Sequence, residues 1–249
     1  MTGRTDNGDL RGGRLTIDLG AIVANWRDLD RRSRPGRAAA VVKADAYGLG
    51  AEHVVPALAA AGCDTFFAAM PDEGVSIRPL APEARIFLLN GIQPGATDAM
   101  IADGLIPVLA SLQQVESWAA GGDRPPCALQ IDTGMNRLGL TVDEALALAG
   151  DDVLRSRLDI VHVMSHFACA DMSDHPMNQH QIESFQAVMA SFGDIESSLS
   201  NSAGVLTGGA HGLAVTRPGI ALYGGEAVDG IANPMRPVVT LEARIMQVR

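Results

Sequence analysis

Short apolar runs alternate along this chain with longer segments whose apolar positions recur at helical spacing. Eight runs stand out: Ala38–Val42, Thr65–Met70, Arg85–Leu89, Ile106–Leu109, Cys127–Ile131, Ile160–Met164, Ser197–Asn201 and Ala214–Tyr223. Most are too short for helices and rich in Val, Ile, Leu or Phe, as strands buried on both faces should be. Ser197–Asn201 is polar and the least strand-like. Between them the spacing predicts helices over Glu52–Ala61, Asp72–Arg78, Ala96–Asp103, Leu112–Ala120, Val142–Ala149 and Met177–Phe192, several followed by glycine where a helix should stop. Eight β-α units in about 200 residues fit a (β/α)8 TIM barrel, class α/β, better than an open doubly wound sheet. A barrel places its functional residues at the C-terminal ends of its strands.

Two segments fall outside that pattern. Arg14–Asp18 precedes a helical stretch over Ile22–Leu29, and Thr240–Arg249 alternates as a strand does. Both are expected to belong to another sheet and, left unpaired, to promote self-association. Residues 1–13 mix Arg, Asp, Gly and Thr without an apolar centre, which is expected to be a disordered leader and not a signal peptide or anchor.

Composition narrows the function. With 249 residues, 47% hydrophobic and 19% charged, the chain can bury a sizeable core. A net charge of -10 repels nucleic acid and anionic lipid, so a small organic substrate is expected, with no nucleic-acid and no membrane partner. No run reaches the ~18 apolar residues of a membrane span. Cys63, Cys127 and Cys169 are odd in number and widely spaced, which suggests neither a disulfide framework nor a zinc site and points to a reducing, cytoplasmic setting. His53, His162, His175, His180 and His211 show no ligand-like grouping, and no metal is expected.

Of nineteen basic residues, eighteen are arginine and one, Lys43, is lysine. Arginine stays protonated, whereas a lysine amine can become neutral and nucleophilic, so chemistry can require lysine where a surface charge cannot. Lys43 ends the apolar run of Ala38–Gly50, AAAVVKADAYGLG, and enters a polar, glycine-containing turn. Desolvation there would lower the amine's pKa and permit Schiff-base chemistry.

The string VVKADAYGLG resembles the pyridoxal 5'-phosphate attachment site of alanine racemases. IDTGMNRLG (131–139), SHFACAD (165–171) with the following DHPMNQHQ, SNSAG (200–204) and RPGIALYG (217–224) resemble that family too, in the family's order, over roughly residues 14–249. The resemblance implies that Lys43 carries the cofactor covalently and acts as a catalytic base, serving the D enantiomer of alanine. It implies that Tyr47, Ser202 with its neighbour Asn201, Gly219 and Ile220 hold the phosphate, and that His166 packs on the ring and supports Arg217. Arg217 is expected at the pyridine nitrogen, where a group that cannot give up its proton weakens the electron sink and favours racemisation over transamination. Arg137 is expected near the substrate carboxylate. The implied activity is interconversion of L- and D-alanine for cell-wall synthesis, by a homodimer.

There are departures. Leu49 stands where the motif often has His. Gln130 stands where many members have a lysine modified to a carbamate, and it is expected to orient Arg137 through a neutral hydrogen bond. The family's second base is a tyrosine from a C-terminal β-domain, contributed across a head-to-tail dimer, but the only tyrosines here are Tyr47 and Tyr223. The expected organisation is therefore a leader (1–13), a cofactor-binding barrel (14–237) and the start of a truncated β-domain (238–249). Proton abstraction should survive and racemisation should be impaired. A free-standing pyridoxal phosphate carrier of vitamin B6 homeostasis and a catalytically silent scaffold are the alternatives.

Overall fold

The computed structural model describes residues 12–122 and 125–248. Residues 1–11 of the expected leader lie outside the described residues, and Gly13 already belongs to a strand. The strands are β1 (Gly13–Ile17), β2 (Arg37–Ala38), β3 (Ala40–Val41), β4 (Thr65–Ala68), β5 (Arg85–Leu88), β6 (Leu105–Leu109), β7 (Pro126–Gln130), β8 (Asp159–Met164), β9 (Glu196–Ser198), β10 (Val215–Thr216) and β11 (Val239–Ala243).

Strands β3 to β9 form a curled, seven-stranded parallel sheet in chain order. The segment around β10 bridges its two ends. Arg37, Ala39 and Val41 donate backbone N–H groups to Ala214, Thr216 and Pro218 at 2.9–3.1 Å on one side. On the other, Ala214 and Arg217 donate to Ser197 and Ser200 at 3.1 and 2.9 Å. Helices over Ala51–Ala60, Pro71–Ile77, Thr97–Ala102, Leu112–Ala119, Val142–Gly150 and Pro176–Phe192 follow the strands closely where the periodicity placed them. Their starts are chemically marked. Ser111 accepts from Gln114 N–H, and Thr141 forms a reciprocal capping box with Glu144.

The apolar runs are continuous because each strand is buried twice. Phe66 and Ala68 of β4, and Ile86 and Leu88 of β5, pack outward against helix residues such as Val54, Leu58 and Ile77. Phe67 and Phe87 point inward with Val41, Val108 and Met164. Their rings stack at 4.8 Å. Inside, the side carrying β8 to β10 is polar instead, with His162, Ser198 and Arg217 fully or almost fully buried.

Two expectations are corrected. The eighth run is a strand only over β10, because Pro218 lacks an N–H and Ile220–Tyr223 coils into a 3-10 turn. The terminal strands are not unpaired. β1 and β11 pair antiparallel with each other, from Gly13 opposite Ala243 to Ile17 opposite Val239, and so satisfy each other's backbone groups. Leu15 and Leu241, directly opposite in this ribbon, remain exposed. No helix among the described residues is long and apolar enough to cross a membrane.

Candidate active site

The C-terminal ends of the sheet strands open onto a cavity of about 580 Å³. Lys43, Tyr47, Arg137, His166, Asn201, Ser202, Arg217, Gly219 and Ile220 all line it. The nine residues singled out from the sequence thus come from five separate stretches of chain to one mouth.

Lys43 lies two residues beyond β3 and is partly buried. The turn that follows is left-handed: Ala44, Asp45, Ala46 and Tyr47 have φ of 52 to 58° without a glycine among them. Such a conformation costs about 1–2 kcal/mol per residue. Long-range acceptors hold it. Glu73 accepts from Ala44 N–H at 2.7 Å and also from Ala69 at 2.6 Å and Met70 at 3.2 Å, tying the turn to the end of β4. Asp45 Oδ1 accepts from Ala51 N–H at 2.7 Å. The strain sets where the Lys43 and Tyr47 side chains leave the backbone.

Arg217 is the buried cation of the site. One guanidinium nitrogen donates to Ser198 Oγ and another to the Ser165 carbonyl. Its carbon sits 5.9 Å from the Phe67 ring centroid. Burial pulls it down to about 9, which still leaves it charged at neutral pH. His166 faces it. Loss of solvent, then the charges of Arg217, Arg137 and Lys43, push its imidazole down to about 3, so it is neutral. Asn201 Nδ2 is 3.5 Å from His166 Nε2 and donates to the Phe167 carbonyl, while its Oδ1 caps the helix Ser202–Gly208 at Gly204 N–H, 3.0 Å away. Asn201 is the cap of this helix.

Ser202 Oγ accepts from Gly219 N–H at 2.9 Å and Ala221 N–H at 3.2 Å. With both lone pairs engaged, its own hydrogen is free to donate. A Cβ at Gly219 would collide with the Tyr47 hydroxyl, so only glycine lets the backbone come this close. Tyr47 stacks at 4.8 Å on Tyr223, whose hydroxyl donates to the Val41 carbonyl at 2.9 Å. Burial raises both phenols above their ordinary value.

A family model described as the N-terminal domain of alanine racemase matches residues 17–227. The chain belongs to the alanine racemase family. The biosynthetic alanine racemase of Agrobacterium fabrum is 55% identical over 240 residues, covering 95% of this chain and 61% of that protein. The alanine racemase of Rhizobium meliloti is 51% identical, covering 95% and 63%. The chain therefore spans about three fifths of the length of these curated relatives. Among solved structures, alanine racemase from Bartonella henselae with covalently bound pyridoxal phosphate superposes with a TM-score of 0.89 at 36% identity, covering 96% of this chain and 71% of that one. The biosynthetic enzyme of Pseudomonas aeruginosa gives 0.86 at 35% identity, covering 93% and 66%.

Against this alanine racemase background, one expected contact, between Gln130 and Arg137, is not made. Gln130 lines the cavity, but its amide nitrogen donates to the Ile131 carbonyl at 3.3 Å and its oxygen takes no hydrogen bond from Arg137. Arg137 is exposed at the mouth and, among the described residues, has neither a hydrogen bond nor an ion pair. Three contributors escaped the sequence reading: Glu73, Ser165 and Ser198. Glu73 carried no readable signal, since its partners are a strand end and a distant turn. Ser198 could have been found, because alternation along Glu196-Ser197-Ser198 puts Glu196 and Ser198 on one face, the face toward His162.

Proposed function

We propose that this chain is the cofactor-binding barrel of an alanine racemase that interconverts L- and D-alanine with pyridoxal 5'-phosphate, supplying D-alanine for the cell wall. The observation that carries the reading is that the chain's one lysine opens into the same cavity as a buried arginine, a free arginine and a set of hydroxyl donors. The donor set fits the cofactor. Ser202 and Tyr47 hydroxyls and the Ile220 N–H suit a phosphate dianion, with Gly219 permitting the approach. Arg217 suits the ring nitrogen, neutral His166 a ring face, and Lys43 Nζ the covalent link. When bound, the cofactor supplies an electron-withdrawing ring that acidifies the amino acid's α-C–H.

Lys43 Nζ then takes or returns the α-proton on one face, and Arg137 holds the substrate carboxylate. Racemisation also needs a proton on the opposite face. Tyr223 is engaged with Val41 and Tyr47 is assigned to phosphate, which supports a second base from a further β-domain, begun at 238–249, in a homodimer. We read the bridged sheet as a complete (β/α)8 barrel and the setting as cytoplasmic. The test is α-proton exchange in deuterated water with the chain plus pyridoxal 5'-phosphate. Exchange of D-alanine with much slower appearance of the other enantiomer is expected. Full racemase turnover that survives removal of both tyrosines contradicts the second-base assignment, and no exchange of either enantiomer contradicts the base role of Lys43.

A further inference from the structure

A line of hydrogen bonds descends from Arg217 through the barrel interior. Arg217 donates to Ser198 Oγ, Ser198 Oγ lies 2.7 Å from His162 Nε2, and His162 Nδ1 lies 3.0 Å from Glu196 Oε1. Glu196 is held in turn by Arg85 at 3.0 Å and Arg37 at 2.7 Å. His162 and Ser198 are completely buried, and the imidazole packs 5.3 Å from the Phe87 ring and 6.4 Å from the Phe67 ring.

The direction of each hydrogen in this line is dictated from its far end. Against the burial that would raise it, the hydrogen bonds and charges of His162 and Arg85 hold the Glu196 carboxyl down at about 2, so it is an acceptor only. The charged groups facing His162 are Glu196, Arg217 and Arg85. Burial outweighs Glu196 there and keeps the imidazole neutral. A neutral imidazole against a carboxylate carries its hydrogen on Nδ1, which makes Nε2 an acceptor. Ser198 must then donate to Nε2, and its lone pairs are left to Arg217. The opposite tautomer would turn the Ser198 hydrogen toward a guanidinium that has no acceptor to offer.

We propose that His162 and Glu196 are positioning residues for Arg217: by fixing the His162 tautomer they orient the Ser198 hydroxyl that clamps the guanidinium. The Ser165 carbonyl is the clamp's second jaw. The functional consequence rests on the cofactor reading above, in which Arg217 meets the ring nitrogen. A purely structural role for Glu196, pairing with Arg37 and Arg85, makes a different forecast. That role needs the charge, whereas the clamp needs only an acceptor at Nδ1, which a glutamine carbonyl also supplies.

The experiment has two arms. In the first, imidazole nitrogen NMR on the chain labelled with ¹⁵N-histidine, without cofactor, reads the tautomer, with His162 assigned from its absence in His162→Asn. A neutral Nδ1–H form is expected in the wild type and in Glu196→Gln, and a mixture in Glu196→Leu. In the second, absorbance titration with pyridoxal 5'-phosphate should show about tenfold weaker binding for Glu196→Leu and for Ser198→Ala. Binding by Glu196→Gln should stay near wild type, and Glu196→Leu should add nothing in the Ser198→Ala background. An Nε2–H tautomer in the wild type, equal losses for Glu196→Gln and Glu196→Leu, or independent losses in the double variant would each overturn the proposal. If Glu196→Leu does not fold, wild-type affinity in Ser198→Ala overturns it instead. Failure of the wild type to bind the cofactor removes the functional reading, while the tautomer still decides the clamp.

Discussion

Replacing Gly219 with alanine should cost cofactor affinity more than stability. Gly219 has φ of -122°, outside the left-handed region that favours glycine, so the contact its Cβ would make is the main change. That Cβ would strike the Tyr47 hydroxyl and lie 3.0 Å from Tyr47 Cζ and 3.5 Å from Cε2. The tyrosine is the side that yields, because it is 40% exposed. Swinging outward removes one hydroxyl from the proposed phosphate cradle. A hydrogen bond to a charged group is worth about 1.5–3 kcal/mol, so affinity for pyridoxal 5'-phosphate should fall about ten- to hundredfold. Unfolding free energy should fall by about 1 kcal/mol, the ordinary size for a point substitution, because Gly219 is buried and the displaced Tyr47 leaves its stacking on Tyr223. Absorbance titration measures the first and urea denaturation the second. Tyr47→Phe, which removes the same hydroxyl, should show the same affinity loss, and the double variant should bind no more weakly than either single one. Wild-type affinity in Gly219→Ala, or losses that add, would refute the reasoning.

Two further outcomes follow from the site. Ala44→Gly, at an exposed left-handed residue, should raise unfolding free energy by about 1 kcal/mol, checked by urea denaturation; a decrease would mean the turn is not strained. Stability should also fall with acid in two steps. His166, ordinarily near 6.5, is held to about 3 in the fold, so the unfolded chain takes up that proton first and stability drains from pH 6.5 toward 3, with His162 acting in the same direction. Glu196, held to about 2 from an ordinary 4.5, contributes above pH 4.5 and loses that contribution as pH falls toward 2. Denaturation midpoints across this range should show the first step shrink in His166→Phe, and a flat profile between pH 6.5 and 4.5 would contradict it.

The strands of the parallel sheet were legible because burial on both faces leaves an unbroken apolar run, as in Phe66-Phe67 and Ile86-Phe87-Leu88. Helix limits were legible where a cap such as Thr141 with Glu144 marks them. The nine cavity residues were visible as motifs, with Lys43 exposed by its uniqueness. What sequence hid was set at long range. The left-handed turn at Ala44–Tyr47 contains no glycine to announce it and depends on Glu73, some 29 positions away. Pairing of β1 with β11 joins the two ends of the described chain, where local pattern says nothing about partners. Of the line from Arg217 to Glu196, the motifs mark Arg217 alone, and Ser198 reads as an unremarkable polar residue of a weak strand. Gln130 was misjudged because its side chain finds a neighbouring carbonyl before it reaches Arg137.

The central claim is that Lys43 is where the cofactor attaches, and because it is the only lysine, one labelling experiment decides it. The chain is loaded with pyridoxal 5'-phosphate, reduced with borohydride, digested and analysed by mass spectrometry, with Lys43→Arg alongside. One reduced cofactor per chain on the Lys43 peptide, and none in the variant, is the predicted result. An unlabelled Lys43 peptide, or label confined to the N-terminal amine in both proteins, would contradict it.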